Sequence, residues 1–135
     1  MTDCIFCKII GGEIPSHKVY EDENTIAFLD ANPTSKGHTL VLPKKHVETI
    51  DQASEMSYMW NTLVKVSQAV EEAFDPEGLN ISQNNGEAAG QEVMHMHFHV
   101  TPRYTGDEIE VNYNREELEN GEEIADEINS NIEES

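Results

Sequence analysis

His95-Met96-His97-Phe98-His99-Val100 sets three histidines at alternate positions inside an apolar run. Side chains of a β-strand alternate faces with a period of two. An extended reading of residues 95–102 therefore sends all three imidazoles to one face and Met96, Phe98 and Val100 to the other. Imidazole titrates near neutral pH and serves as nucleophile, proton carrier or metal ligand, so a strand face bearing three of them reads as a site rather than as a solvated surface. From the alternation alone, nucleophilic chemistry and a three-histidine metal centre are both open.

The segment just upstream, Asn84-Asn85-Gly86-Glu87-Ala88-Ala89-Gly90-Gln91-Glu92-Val93, is rich in small residues and amides. Read alone, Asn-Asn-Gly is a hairpin turn. Small residues also let backbone N–H groups approach an oxyanion, and the amides of Asn84 and Gln91 can donate to phosphate oxygens.

Working outward, residues 17–20 and 24–30 read as a hairpin around Glu21-Asp22-Glu23-Asn24, and His38 to Pro43 as a third strand. Met56, Met59, Trp60, Leu63, Val66, Val70, Ala73 and Phe74 recur at helical spacing across 52–75, which assigns the Met and Trp positions to a core, with Pro76 and Gly78 as stop signals. Leu79 to Gln83 and His95 to Pro102 add two strands. Asp3 is placed to cap a short helix through Ile10, stopped by Gly11-Gly12. The sum is an α+β domain with an antiparallel sheet of about five strands, one long helix and one short one.

With 27 Asp and Glu against 8 Lys and Arg, the net charge is −19. Phosphate-neutralising surfaces need clustered cations, so the balance argues against a nucleic-acid partner. A uniformly acidic surface stays hydrated when salt screens charge, which suits a halophilic source. No apolar run is long enough to span a membrane and the polar start lacks a signal peptide's features, so the expectation is a cytoplasmic protein without a membrane partner. The only cysteines form one Cys4-x-x-Cys7, a spacing that suits a metal knuckle or a redox pair. Twelve of the acids lie between Asp107 and Ser135, which divides the chain into a domain at 1–106 and an acidic extension at 107–135. Ile124, Ile128 and Ile132 there could form one thin helical stripe, although the composition equally fits a mobile tail.

Gly90-Gln91-Glu92-Val93-Met94-His95-Met96-His97-Phe98-His99-Val100 resembles the His-φ-His-φ-His-φ-φ signature, φ being apolar, of the histidine triad (HIT) superfamily of nucleotide hydrolases and transferases. Cys4-Ile5-Phe6-Cys7-Lys8-Ile9-Ile10, Glu13-Ile14-Pro15, Ala27-Phe28-Leu29-Asp30 with Pro33, and Gly37-His38-Thr39-Leu40-Val41-Leu42-Pro43-Lys44-Lys45-His46 resemble the family's N-terminal half in order, and its Hint-like branch in particular. The resemblance runs from about residue 4 to about residue 104. It implies the HIT fold and a homodimer paired through the long helix and a central strand. It also implies that His97 attacks the α-phosphorus to give a nucleotidyl-histidine, that His99 bonds phosphate or leaving-group oxygens, and that His38 stands near the α-phosphate. Asn84, Gln91 and the Val93 N–H would bind phosphate oxygens, with Gln91 counted among the catalytic set, and Asp30 would accept ribose hydroxyls. Cys4, Cys7, His46 and His95 would hold a structural zinc, dividing the triad between metal and phosphorus.

One departure stands out. Where animal Hint-type enzymes commonly carry a serine after the glutamine, this chain has Glu92, which could donate a proton only if its pKa were raised. The resemblance further implies cleavage of nucleoside phosphoramidates or related esters of AMP or GMP, adenosine preferred, with dinucleoside polyphosphate hydrolysis as the alternative. A nucleotide-binding interaction protein with residual catalysis is the reading from another class. In the Hint-like branch the C-terminal segment approaches an active site, often the partner's, so the acidic extension is expected beside the nucleotide pocket.

Overall fold

A computed structural model describes residues 4–110 and 114–132. Five antiparallel strands, β1 (Lys18–Glu21), β2 (Thr25–Leu29), β3 (Thr39–Pro43), β4 (Gly78–Gln83) and β5 (Phe98–Arg103), form one sheet in the order β1-β2-β3-β5-β4. The helices are α1 (Ile5–Ile10), α2 (Tyr58–Phe74) and α3 (Gly121–Ser130). The expected α+β architecture with one long and one short helix is therefore present.

Alternation along the strands sorts the sheet into two faces. On one, Ala27, Val41, Val100 and Met96 pack against Met59, Leu63, Val66 and Val70 of α2. On the other, Ile26, Phe28, Leu40 and Leu42 pack with Phe6 of α1. Register then arranges the second face, since Phe28 pairs with Leu40, Leu40 with His99 and His99 with Ser82 in a row across four strands. Burying each such aliphatic or aromatic side chain contributes about 1.5–3 kcal/mol, and both clusters draw on β5 or its immediate neighbours, which stiffens the strand that carries the site.

Several boundaries differ from those predicted. β5 begins at Phe98 rather than His95, and residues 95–97 run into it without ladder bonds of their own. The alternation survives: Met96 N–H donates to Val47 O while its side chain joins the α2 cluster, and His95 and His97 both lie edge-on to Phe6. β3 begins at Thr39, after His38. The long helix starts at Tyr58, because Ile50–Gln52 closes its own 3-10 turn with Ile50 N–H bound to Asn85 Oδ1. It ends at Asp75, in the left-handed conformation, ahead of the stop signals. Trp60 is not core: it is 69% exposed, because it lies one helical step of about 100° beyond Met59 and off the Met59–Leu63–Val66–Val70 stripe. The cap of α1 is Cys4, whose Sγ accepts from Cys7 N–H at 3.3 Å, and Asp3 lies outside the described residues.

The Asn84-Asn85-Gly86 turn does not close a tight hairpin. It opens a loop containing a second 3-10 turn, Glu87–Ala89, which ends at Gly90 with φ +92°. In the extension, 121–130 is helical, with Ile124 and Ile128 exposed at 46% and 62% and Ile132 just beyond the helix. Asp107, at the start of that extension, is tied back to β5 by Arg103, which donates from Nε to Oδ2 at 2.9 Å.

Candidate active site

A cleft of about 800 Å³ opens on the α1 face of the sheet. Its apolar wall is Ile5, Phe6 and Ile9 of α1 facing Phe28 and Leu40 of the sheet, and its polar end carries Asp30, Asn84, His97 and His99. The floor is the cross-strand row described above, which is why a strand-borne histidine ends beside a slot lined by aromatic and aliphatic groups.

Each triad histidine has its proton placed by a neighbour. His97, 8% exposed, puts Nδ1 at 2.7 Å from the carbonyl oxygen of His95. A carbonyl only accepts, so Nδ1 carries the proton and the Nε2 lone pair is left free. Burial pushes the His97 pKa below 6.5, which keeps the ring neutral and nucleophilic near pH 7. His95, fully buried, sets Nε2 at 2.8 Å from the Pro43 carbonyl, and the same reasoning turns its Nδ1 lone pair away from the cleft. Burial and the neighbouring imidazoles depress His95 to about 4. His99 is also lowered to about 4, by burial first and then by His97 and His38.

His38 stands behind His99 rather than on the cleft surface. Its Nδ1 accepts from Thr34 N–H at 3.0 Å, its Nε2 lies 2.9 Å from His99 Nδ1, and Asp30 Oδ2 is 3.6 Å from the same Nε2. The other oxygen of Asp30 accepts from Asn32 N–H, which holds the carboxylate at the rim of the cleft. Gln91 also lies off the cleft wall, and its amide is fully engaged: Oε1 accepts from Gly86 N–H, while Nε2 donates to Glu48 O and Val93 O. Gln91 thus braces the loop that presents Asn84, Gly90 and Val93, and Asn84 and Val93 themselves line the cleft. Glu92 lines it as well.

The second group of donors converges on a point. Cys4 Sγ lies 3.5 Å from His95 Nδ1, Cys7 Sγ 3.7 Å from His95 Nδ1 and 3.4 Å from His46 Nδ1, and the two Nδ1 atoms are 3.2 Å apart. A tetrahedral zinc with its usual sulfur and nitrogen bond lengths requires ligand separations of about 3.3–3.8 Å, so these four residues fit the ion. Burial and the Cys4 thiol raise the Cys7 pKa, a penalty that a divalent cation at this point would reverse. Bound there, zinc would cross-link α1 to the chain entering β5. With four protein ligands it has no open position for chemistry.

The structure thus gathers Asp30, Asn84, Val93, His97 and His99 at the cleft, His38 and Gln91 immediately behind it, and Cys4, Cys7, His46 and His95 in a separate cluster. Sequence reasoning missed Phe6, Phe28 and Leu40 as cleft walls, because Phe28 and Leu40 lie in strands buried on both faces, where no alternation marks the side that α1 covers. It also missed His17 at the rim, and the carbonyls of Pro43 and His95, which leave no trace in a sequence.

A family profile described as the HIT domain matches residues 11–106, and the chain belongs to the HIT family. The "Protein hit" of Bacillus subtilis is 50% identical over 104 residues, covering 76% of this chain and 72% of that one. The adenosine 5'-monophosphoramidase of Schizosaccharomyces pombe is 45% identical over 100 residues, 74% of each chain. The crystal structure of a HIT family member from Bacillus subtilis superposes with a TM-score of 0.89 at 40% identity, over 98% of this chain and 99% of that one. A zinc-bound histidine triad family protein from Mycobacterium smegmatis superposes with a TM-score of 0.71 at 36% identity, over 85% of each chain.

Proposed function

We propose that the protein is a nucleotide hydrolase or nucleotidyl transferase that cleaves at the α-phosphate of purine nucleoside phosphoramidates or related esters. The enzymatic character follows from family membership, supported by the fission-yeast relative that bears the name of a phosphoramidase. The observation that carries the mechanism is the His97–His95 carbonyl bond, which leaves a neutral imidazole with its Nε2 lone pair at the polar end of a nucleotide-sized cleft. In this reading Nε2 attacks the α-phosphorus, the N–P bond forms as the bond to the leaving group breaks, and the leaving group departs with that electron pair and a proton taken from the solvent of the open cleft. Water then attacks the nucleotidyl-histidine, gives a proton back to solvent, and returns His97 to its starting neutral state. Asp30 holds the ribose, and Asn84 and the Val93 N–H hold phosphate oxygens whose charge builds in the transition state. Gln91 acts through the loop it braces.

The apolar slot takes the base. Cys4, Cys7, His46 and His95 hold a structural zinc, in keeping with the zinc-bound relative. The functional unit is a homodimer, for which the exposed Trp60 of α2 and Ile81 of β4 supply apolar surface; β4 is an edge strand with a free side, in place of the central strand first expected. Among the described residues no helix is long and apolar enough to cross a membrane, and the proposal places the protein in the cytoplasm of a salt-tolerant cell. Turnover of an adenosine phosphoramidate, compared with a dinucleoside polyphosphate, tests the reading. Faster release from the phosphoramidate is expected, preference for the polyphosphate would move the assignment to the alternative substrate class, and turnover of neither would leave only nucleotide binding.

A further inference from the structure

We infer that His38 is a positioning residue that decides which nitrogen of His99 carries the proton, so that His99 offers the cleft an N–H and not a lone pair. The inference rests on the proposed reading of the cleft as a nucleotide-cleaving site. It starts from a donor that cannot be reversed. The backbone N–H of Thr34 points at His38 Nδ1 at 3.0 Å, and a backbone amide only donates, so Nδ1 is the unprotonated nitrogen of a neutral His38. The proton of that ring then sits on Nε2, 2.9 Å from His99 Nδ1, with the Asp30 carboxylate 3.6 Å away on the same side. Receiving this bond, His99 Nδ1 must be an acceptor, and the proton of its neutral ring is forced onto Nε2. One backbone amide therefore propagates through two imidazoles into the cleft.

The chemistry gives this order a purpose. The substrate end of the cleft must accommodate anionic phosphate oxygens, and a neutral imidazole turning its lone pair toward them repels, whereas the same ring turned N–H outward donates. His97 needs the opposite arrangement, a lone pair toward phosphorus, and obtains it from the His95 carbonyl. Two neutral histidines two residues apart on β5 and its approach thus present opposite polarities to one substrate, each set by a backbone group of opposite character.

The loop that delivers the Thr34 amide is held from elsewhere. Ser35 Oγ donates to the Pro102 carbonyl at 2.6 Å, and Tyr104 Oη donates to the Lys36 carbonyl at 2.8 Å. Gly37, at φ +97°, lies so close to Phe74 that a Cβ there would sit 2.8 Å from the ring. The last turn of α2 and the far end of β5 therefore fix the loop on which the proton order depends.

The direct test is nitrogen-detected NMR of the histidines at pH 7.5, which reads protonation site by site and requires no turnover. The wild-type protein is expected to show His38 and His99 both protonated at Nε2, with His99 Nδ1 shifted as a hydrogen-bond acceptor. In His38→Gln the amide can accept from Thr34 and donate to His99, so the His99 pattern should persist and kcat/KM should stay within about fivefold of wild type. In His38→Leu the acceptor shift of His99 Nδ1 should vanish and kcat/KM fall by roughly 10-fold or more, since outer partners that orient a metal-bound histidine contribute about 10- to 100-fold and the partner of a general-base histidine contributes more. A wild-type His99 protonated at Nδ1 would overturn the inference, as would a folded His38→Leu protein with wild-type kinetics. If His38→Leu does not fold, the wild-type spectrum and the glutamine variant still decide. A chain that turns over no nucleotide but shows the expected tautomers would remove the proposed function and leave the proton order standing.

Discussion

Histidines from one short run end in two different kinds of place. His95 sends its lone pair into a tight group of two thiols and another imidazole, with every donor aimed at one point. His97 and His99, two and four residues on, face an open cleft of about 800 Å³. All three rings are buried enough to be neutral, so charge does not separate them. What separates them is which nitrogen is tied to backbone. Pro43 O holds Nε2 of His95 and frees Nδ1 for the cluster, whereas His95 O holds Nδ1 of His97 and frees Nε2 for the cleft. Chemistry in this site is assigned by two carbonyl groups.

The largest expected effect follows at the cleft. His97→Ala should lower kcat on a nucleoside phosphoramidate by roughly a thousandfold or more, since removal of a covalent nucleophile ordinarily costs several orders of magnitude. Its melting temperature should move by only a few degrees, because the ring supports the cleft and not the cluster. A variant that melts early and retains activity would reverse the roles given to the two places.

Stripping metal should do the opposite. A chelator that removes zinc from Cys4, Cys7, His46 and His95 is expected to lower the melting temperature, as loss of a closed structural site does, while activity at low temperature falls only as the protein unfolds. Elemental analysis should give one zinc per chain. Immediate loss of activity in a fully folded, metal-free protein would show that the cluster takes part in the chemistry.

A smaller effect concerns pH. Because folding lowers the His97 and His99 pKa values, kcat/KM, which reports the free enzyme, should stay level as pH falls through 6.5 and decline only below it, where the His97 nucleophile takes up a proton. The same shifts set the direction for stability. Between about 4 and 6.5 the unfolded chain binds more protons than the folded one, so stability is fully present above that window and is lost as pH drops through it. An acid limb of kcat/KM centred at or above 6.5 would contradict neutral, buried imidazoles.

The smallest effect is assigned to the acidic extension. Truncation after Thr105 should raise activity on dinucleoside polyphosphates relative to phosphoramidates at low salt, with the difference shrinking as salt screens the carboxylates. A substrate ratio unchanged at every salt concentration would show that the extension does not take part in selection.

The alternation of 95–100 predicts a histidine-bearing strand and the sorting of Met96 and Val100 to the opposite face, because a period of two is a local property of backbone, whereas the antiparallel sheet follows only from the count and spacing of all the elements. Trp60 was misplaced because a helical repeat of three and four residues admits a neighbour one step off the stripe, and only the packed sheet shows where the stripe stops. Residue types nominated the two groups of donors, but the division of labour between His95 and His97 and the place of His38 behind His99 depend on the carbonyls of Pro43 and His95 and the amide of Thr34. Every residue carries such groups, so no pattern of side chains could single them out. Gln91 is the same lesson in reverse, an amide suited to phosphate that the fold spends on its own loop.

In the proposed mechanism His97, and no other histidine of the run, forms the bond to phosphorus. Rapid quench of the enzyme into denaturant at alkaline pH during turnover of a nucleoside phosphoramidate, which preserves the acid-labile N–P bond, followed by peptide mass spectrometry without acid work-up, tests it directly. A nucleotidyl adduct is expected on His97 and is absent from His97→Ala. An adduct on His99 or His38, or full turnover by His97→Ala without any adduct, would contradict it.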